Sequence, residues 1–112
     1  MAKAADGRVL IVAALVNPTG PDQGLESVTI LNTTPKTIDL KGWALADRNK
    51  NRVPLSGVIN AGQAVMVKLP SKGIELSNDG GIITLLDNKG LKVHGVSYTS
   101  QDASKEGWTI VF

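Results

Sequence analysis

The chain has a single histidine, His94. With Ser97 and Asp102 close by, it supplies the residue types of a Ser/His/Asp hydrolytic trio. Such a trio works only if the histidine reaches the hydroxyl and the carboxylate orients the histidine. The spacing argues against that. His94 and Ser97 are three residues apart in an extended segment, so their side chains leave opposite faces unless a bulge at Gly95 intervenes. Nothing around Ser97 resembles a nucleophile elbow. A solvent-facing or hydrogen-bonded histidine is the favoured reading.

Asp47-x-Asn49-x-Asn51 has the oxygen-ligand spacing that opens a calcium loop. The sixth position is Arg52 rather than glycine, and the twelfth is Val58 rather than glutamate. Arg48 and Lys50 lie inside the segment and repel a cation. A β-turn in which the asparagines take left-handed backbone explains the pattern more simply, although the spacing leaves cation binding open. Asp22 and Glu26 form a second pair of oxygen donors, with capping or pairing at a sheet edge as the plainer role for Glu26. No metal site, cofactor site or catalytic residue is assigned.

Arg48, Lys50 and Arg52 form the densest basic cluster and the candidate interaction site. They suit an acidic partner or phosphate groups. No aromatic residue is interleaved for base stacking, and charged tips also keep strand edges apart. The glycines form neither a GxGxxG fingerprint nor a phosphate-binding loop. The chain has no cysteine, which excludes disulfides, thiolate nucleophiles and cysteine-ligated zinc without fixing a compartment.

These residues need elements to hold them. A chain of 112 residues with 42% hydrophobic and 20% charged content suits one domain with its own core. Aromatics make up only 4%, so that core is built from Val, Ile, Leu and Ala. Twelve Lys and Arg against ten Asp and Glu give a formal charge of +2, too small a surplus to indicate nucleic acid by itself. The longest apolar run, Val9 to Val16, reads as a central strand rather than a signal-peptide core: Asp6 interrupts its basic flank, and no small-residue cleavage site follows. It is far shorter than the roughly 20 apolar residues that a membrane helix needs.

Further short strands or extended pieces are expected at Glu26–Leu31, Thr37–Leu40, Trp43–Asp47, Arg52–Leu55, Ala64–Leu69 and Ile74–Leu76, with Val58–Gln63 as a strand end and turn. Ile82–Leu86 and Leu91–Tyr98 flank Asp87-Asn88-Lys89-Gly90 as a β-hairpin. Ser100–Glu106 is a loop or a single helical turn, and Trp108–Phe112 is extended. No 3.6-residue stripe and no internal repeat is evident. The fold class is therefore all-β, an antiparallel sandwich or barrel. Residues 1–7 read as a flexible leader, and 8–112 as one domain.

A particular set of residues narrows this further: Asn17-Pro18, Gly24-x-Glu26-x-Val28, Asn32, Leu40-x-Gly42-Trp43-x-Leu45-x-Asp47, Ala61-Gly62, Gly81, Leu85-x-Asp87-x-x-Gly90 and Tyr98. In this order and spacing the chain resembles the lamin tail domain, over about Val9 to Tyr98. Nuclear lamins and many bacterial proteins carry that domain, often beside other modules. The resemblance implies an immunoglobulin-like antiparallel β-sandwich with Trp43 in the gap between the sheets. Gly42 and Gly62 suit turns or positive φ. Ser27 and His94 depart from the family pattern, and the segment after Gly107 lies outside it. The resemblance carries over no catalytic site. It implies a non-catalytic interaction or scaffold module with a protein partner, an appended domain of a larger bacterial protein. The alternative is an auxiliary nucleic-acid-binding domain of a nuclease or hydrolase.

Overall fold

The computed structural model describes residues 8–17, 26–70, 74 and 76–112. The expected leader, Asp22 with most of its Gly/Pro loop, and residues 71–73 and 75 lie outside the described residues. Among the described residues, ten strands run in the order β1 Val9–Leu15, β2 Ser27–Asn32, β3 Ile38–Asp39, β4 Ala44–Ala46, β5 Arg52–Pro54, β6 Val58–Ile59, β7 Ala64–Lys68, β8 Gly80–Leu86, β9 Lys92–Thr99 and β10 Ile110–Val111. A 3-10 turn at Asp102–Ser104 separates the last two.

The strands form one four-stranded sheet in the order β10-β1-β2-β7, a second in the order β5-β4-β8-β9, and a two-stranded β3-β6 pair. All the strand pairings are antiparallel. Aliphatic residues on the inner faces meet in one cluster: Val9 and Ile11 of β1, Val28 and Ile30 of β2, Leu45 of β4, and Ile83 and Leu85 of β8. The period-2 alternation of the strands produces this division into inner and outer faces. The all-β, antiparallel, immunoglobulin-like sandwich expected from the sequence is the fold observed.

Trp43 takes a different place from the one expected. It lies just before β4, is partly buried, and packs against the core from its rim. Leu45, wholly buried, fills the interior. Gly42 has φ +84°, and a Cβ there would come within 3.0 Å of the Asn88 Cβ. The left-handed turn that brings Trp43 into β4 thus presses against the β8–β9 hairpin.

At the other end of the first sheet, Asn32 closes β2. It is fully buried. Its Nδ2 donates to the carbonyls of Lys36 at 2.7 Å, Ile59 at 3.0 Å and Asn60 at 3.1 Å. Its Oδ1 accepts from the Thr34 amide at 3.0 Å and the Thr34 hydroxyl at 2.8 Å. The Asn32 main chain also accepts from the Gly62 amide and donates to the Gln63 carbonyl, each at 2.9 Å. One side chain therefore ties the 33–37 turn to the connection between β6 and β7.

Asn32→Ala would take their partner from the buried Ile59 carbonyl and from the partly buried Lys36 and Asn60 carbonyls and Thr34 amide. Each such loss costs about 1–3 kcal/mol. The expected outcome is a loss of about 3 kcal/mol or more, read as a lower urea midpoint at unchanged m-value.

Candidate functional site

The residue types of the trio do not assemble. The register of β9 passes from Leu85↔His94 to Leu86↔Lys92, so the bulge sits at Val93 rather than Gly95. Beyond it, His94, Val96 and Tyr98 share the inner side, and exposed Ser97 faces the other way. Asp102 is occupied locally: its Oδ2 accepts from the Thr99 amide at 2.9 Å, and its own amide donates to Thr99 Oγ1 at 3.1 Å.

His94 instead joins the two sheets. Its Nδ1 accepts a hydrogen bond from the Ile11 amide at 2.9 Å. β10 pairs only with Ala13 and Ala14 of β1, and the Phe112 amide reaches the Val12 carbonyl at 3.0 Å. The β1 edge before Val12 lies beyond β10, and the imidazole supplies the acceptor there. An acceptor at Nδ1 requires that nitrogen to be unprotonated. Sequence reasoning allowed for a hydrogen-bonded histidine, but its partner lies 83 positions away.

The Asp47 segment is a turn held by its own carboxylate. Asp47 is 4% exposed. Its Oδ1 accepts from the amides of Asn49 at 2.8 Å and Asn51 at 3.0 Å, and Oδ2 accepts from Asn51 Nδ2 at 3.2 Å. The left-handed residue is Lys50, with φ 67°, not an asparagine as the sequence suggested. Among the described residues no cluster of three His, Cys, Asp or Glu is placed to hold a metal ion. Glu26, 5% exposed, receives the Leu76 amide on Oε1 at 3.3 Å.

The second hairpin repeats this turn. Asp87 Oδ1 accepts from the amides of Lys89 at 2.9 Å and Leu91 at 3.0 Å. In both loops the aspartate amide donates to the carbonyl four residues on, and its carbonyl accepts from the amide three residues on. The left-handed place is taken by Gly90, with φ 76°, in one loop and by Lys50 in the other. Both are three-residue hairpin loops in which a turn is followed by a left-handed residue.

The basic cluster spans this tip and the adjoining strand. Arg48 and Lys50 sit on the tip, Arg52 on edge strand β5, and all three are exposed. Arg52 Nη1 lies 4.0 Å from where a Cβ on Gly90 would stand, so its guanidinium reaches across the sheet toward the opposite hairpin. Two further cations escaped the sequence reading. Arg8 and Lys36 flank a cleft of about 450 Å³ lined also by Thr34, Pro35, Thr37 and Ile38. The signal is faint in sequence because Arg8 and Lys36 meet only when the Thr33 amide bonds the Arg8 carbonyl at 2.9 Å.

The lamin tail domain family model matches residues 2–100. The chain belongs to the lamin tail domain family. No curated protein matches it. The family's spaced residues now have places in this lamin tail domain. Gly81 and Tyr98 are cross-strand partners. A Cβ on Gly81 would fall 2.9 Å from the Tyr98 hydroxyl, which donates to the Ser77 carbonyl at 2.7 Å. Glycine leaves the room that the ring occupies.

The inter-sheet role of His94 is measurable. His94→Leu would keep the bulk and remove the acceptor from the Ile11 amide. The expected cost is about 1–3 kcal/mol in chemical denaturation.

Proposed function

We propose that this lamin tail domain is a non-catalytic interaction module, appended to a larger protein, that meets an acidic partner protein through the Arg48–Lys50 tip with Arg52 beside it. The observation that carries this reading is the backbone of Lys50. A left-handed conformation costs an L-residue about 1 kcal/mol relative to glycine. The otherwise equivalent Asp87 loop avoids that cost with Gly90, whereas the Asp47 loop keeps a lysine at φ 67°. Strain held at an exposed, charged tip is a pointer to function rather than to stability. The polar groups that suggested catalysis or cation binding support the same reading from the other side: His94, Asp102 and Asp47 are engaged with backbone amides.

Two substitutions separate the roles. Lys50→Gly is expected to raise stability by about 1 kcal/mol while weakening partner binding. Arg48→Glu with Lys50→Glu is expected to leave the melting temperature within a few degrees and to abolish capture of the partner in cross-linking pull-downs. Undiminished capture by the charge-reversed variant would remove the tip from the interface. Measurable turnover on a hydrolase substrate panel, with no partner captured, would overturn the module reading itself.

The exposed cations also motivate nucleic acid as the partner. Labelled duplex DNA and single-stranded RNA titrated across salt decide between the two. Phosphate contacts predict a log–log slope of about −0.7 to −0.9 for each phosphate neutralised. No binding at low salt leaves the acidic protein surface as the partner.

A further inference from the structure

Arg8 and Lys36 line the cleft of about 450 Å³ that Thr34, Pro35, Thr37 and Ile38 complete. Main chain holds both residues in place. The Arg8 carbonyl accepts from the Thr33 amide at 2.9 Å and from the Thr33 hydroxyl at 3.0 Å. The Lys36 carbonyl accepts from the buried Asn32 side chain at 2.7 Å, and the Lys36 amide donates to Thr34 Oγ1 at 3.3 Å. Neither charged end takes part. Among the described residues, the Arg8 guanidinium and the Lys36 ammonium have no hydrogen bond and no ion pair.

The neutral polar groups of the cleft are already committed. The Thr34 amide and hydroxyl donate to Asn32 Oδ1, and the Thr37 hydroxyl donates to Asn60 Oδ1 at 3.3 Å. No carboxylate is among the lining residues. Asp39 follows Ile38 on β3 and so alternates to the other side, where its Oδ1 accepts from the Lys41 amide at 2.9 Å. Negative charge is what this cleft lacks.

We propose that the cleft binds a phosphate monoester. Two cations without a counter-ion match a dianion, and a monoester carries about −1.5 to −2 charges at pH 7. Arginine offers two phosphate oxygens a planar fork, and lysine adds a point charge. Pro35 and Ile38 give the carbon body of the ester an apolar wall. The volume lies within the range of about 300–1,000 Å³ usual for small-ligand pockets. A neutral sugar finds little to bond, because the threonine hydroxyls are engaged. Walls fixed by the Asn32 network need no ordering on binding, which lowers the cost of association. The site shares no residue with the Arg48–Lys50 tip and does not rest on it.

The test is a titration of the whole chain at low salt, followed residue by residue in 1H–15N spectra. Phenyl phosphate should bind with a dissociation constant of about 0.1–1 mM, because exposed ion pairs contribute little each. Shifts should centre on Arg8 and residues 34–38. Benzoate has the same ring with one charge and should bind about tenfold more weakly. Arg8→Gln and Lys36→Gln should each weaken phenyl phosphate about tenfold. Their melting temperatures should not change, since neither charged end is bonded in the fold. Arg48→Glu with Lys50→Glu should bind as the native chain does. A peptide with one phosphoserine, beside its unphosphorylated form, identifies the source of the ester. Tighter binding than phenyl phosphate assigns a phosphorylated side chain of a partner protein, and equal or weaker binding assigns a free small ester. Four results overturn the proposal: no saturation by about 10 mM phenyl phosphate, shifts centred elsewhere, benzoate binding as tightly, or undiminished binding by either glutamine variant.

Discussion

The Asn32 carboxamide is the interaction on which much of the rest depends. A side-chain amide carries two donor hydrogens and an acceptor oxygen with two lone pairs, and here both ends are engaged in a fully buried site. The backbone groups it serves belong to the 33–37 turn and to the region where β6 leads into β7. Those segments must leave sheet pairing to change direction, and in doing so they expose carbonyls and amides inside the protein. An apolar side chain at this place would leave them unsatisfied. The geometry of Asn32 thereby sets where β3 departs, where β7 begins, and the shape of the cleft between Arg8 and Lys36.

The same economy governs the other polar residues of the interior. His94 gives β1 an acceptor where β10 is too short to reach. Asp47 and Asp87 each fold their own hairpin tip. Tyr98 reaches the Ser77 carbonyl over the space left by Gly81. Polar types that in another context would be nucleophiles, bases or metal ligands are committed here to main-chain hydrogen bonds. Residue types at suggestive spacing say little until the groups facing them are known.

Much of the fold was legible along the chain. Short apolar runs between turn residues marked the strands, because period-2 alternation and glycine or asparagine at the reversals are local consequences of the backbone. The β8–β9 hairpin with its closing Gly90, the turn at Gly42 and the positive φ of Gly62 could be read in the same way. Trp43 was less legible: the family resemblance implied a place in the gap between the sheets, but its position before β4 leaves it partly buried at the rim while Leu45 takes the interior. Lys50 was not legible at all, since nothing local marks a lysine for left-handed backbone. It takes that conformation because the Asp47 carboxylate collects the amides on both sides of it.

By itself the sequence determined the class of fold and which residues carry charge or could carry chemistry, because these follow from composition, spacing and local conformational preference; the family came from its resemblance to the lamin tail domain. Only the tertiary structure decided what those residues do. His94 meets Ile11 across 83 positions, Gly81 meets Tyr98 across the β8–β9 hairpin, and Arg8 and Lys36 reach one cleft from before β1 and after β2. These meetings are set by strand register and by the way two sheets close on each other, which are long-range properties. Hydrogen-bond satisfaction and burial are decided by such neighbours, not by neighbours in sequence.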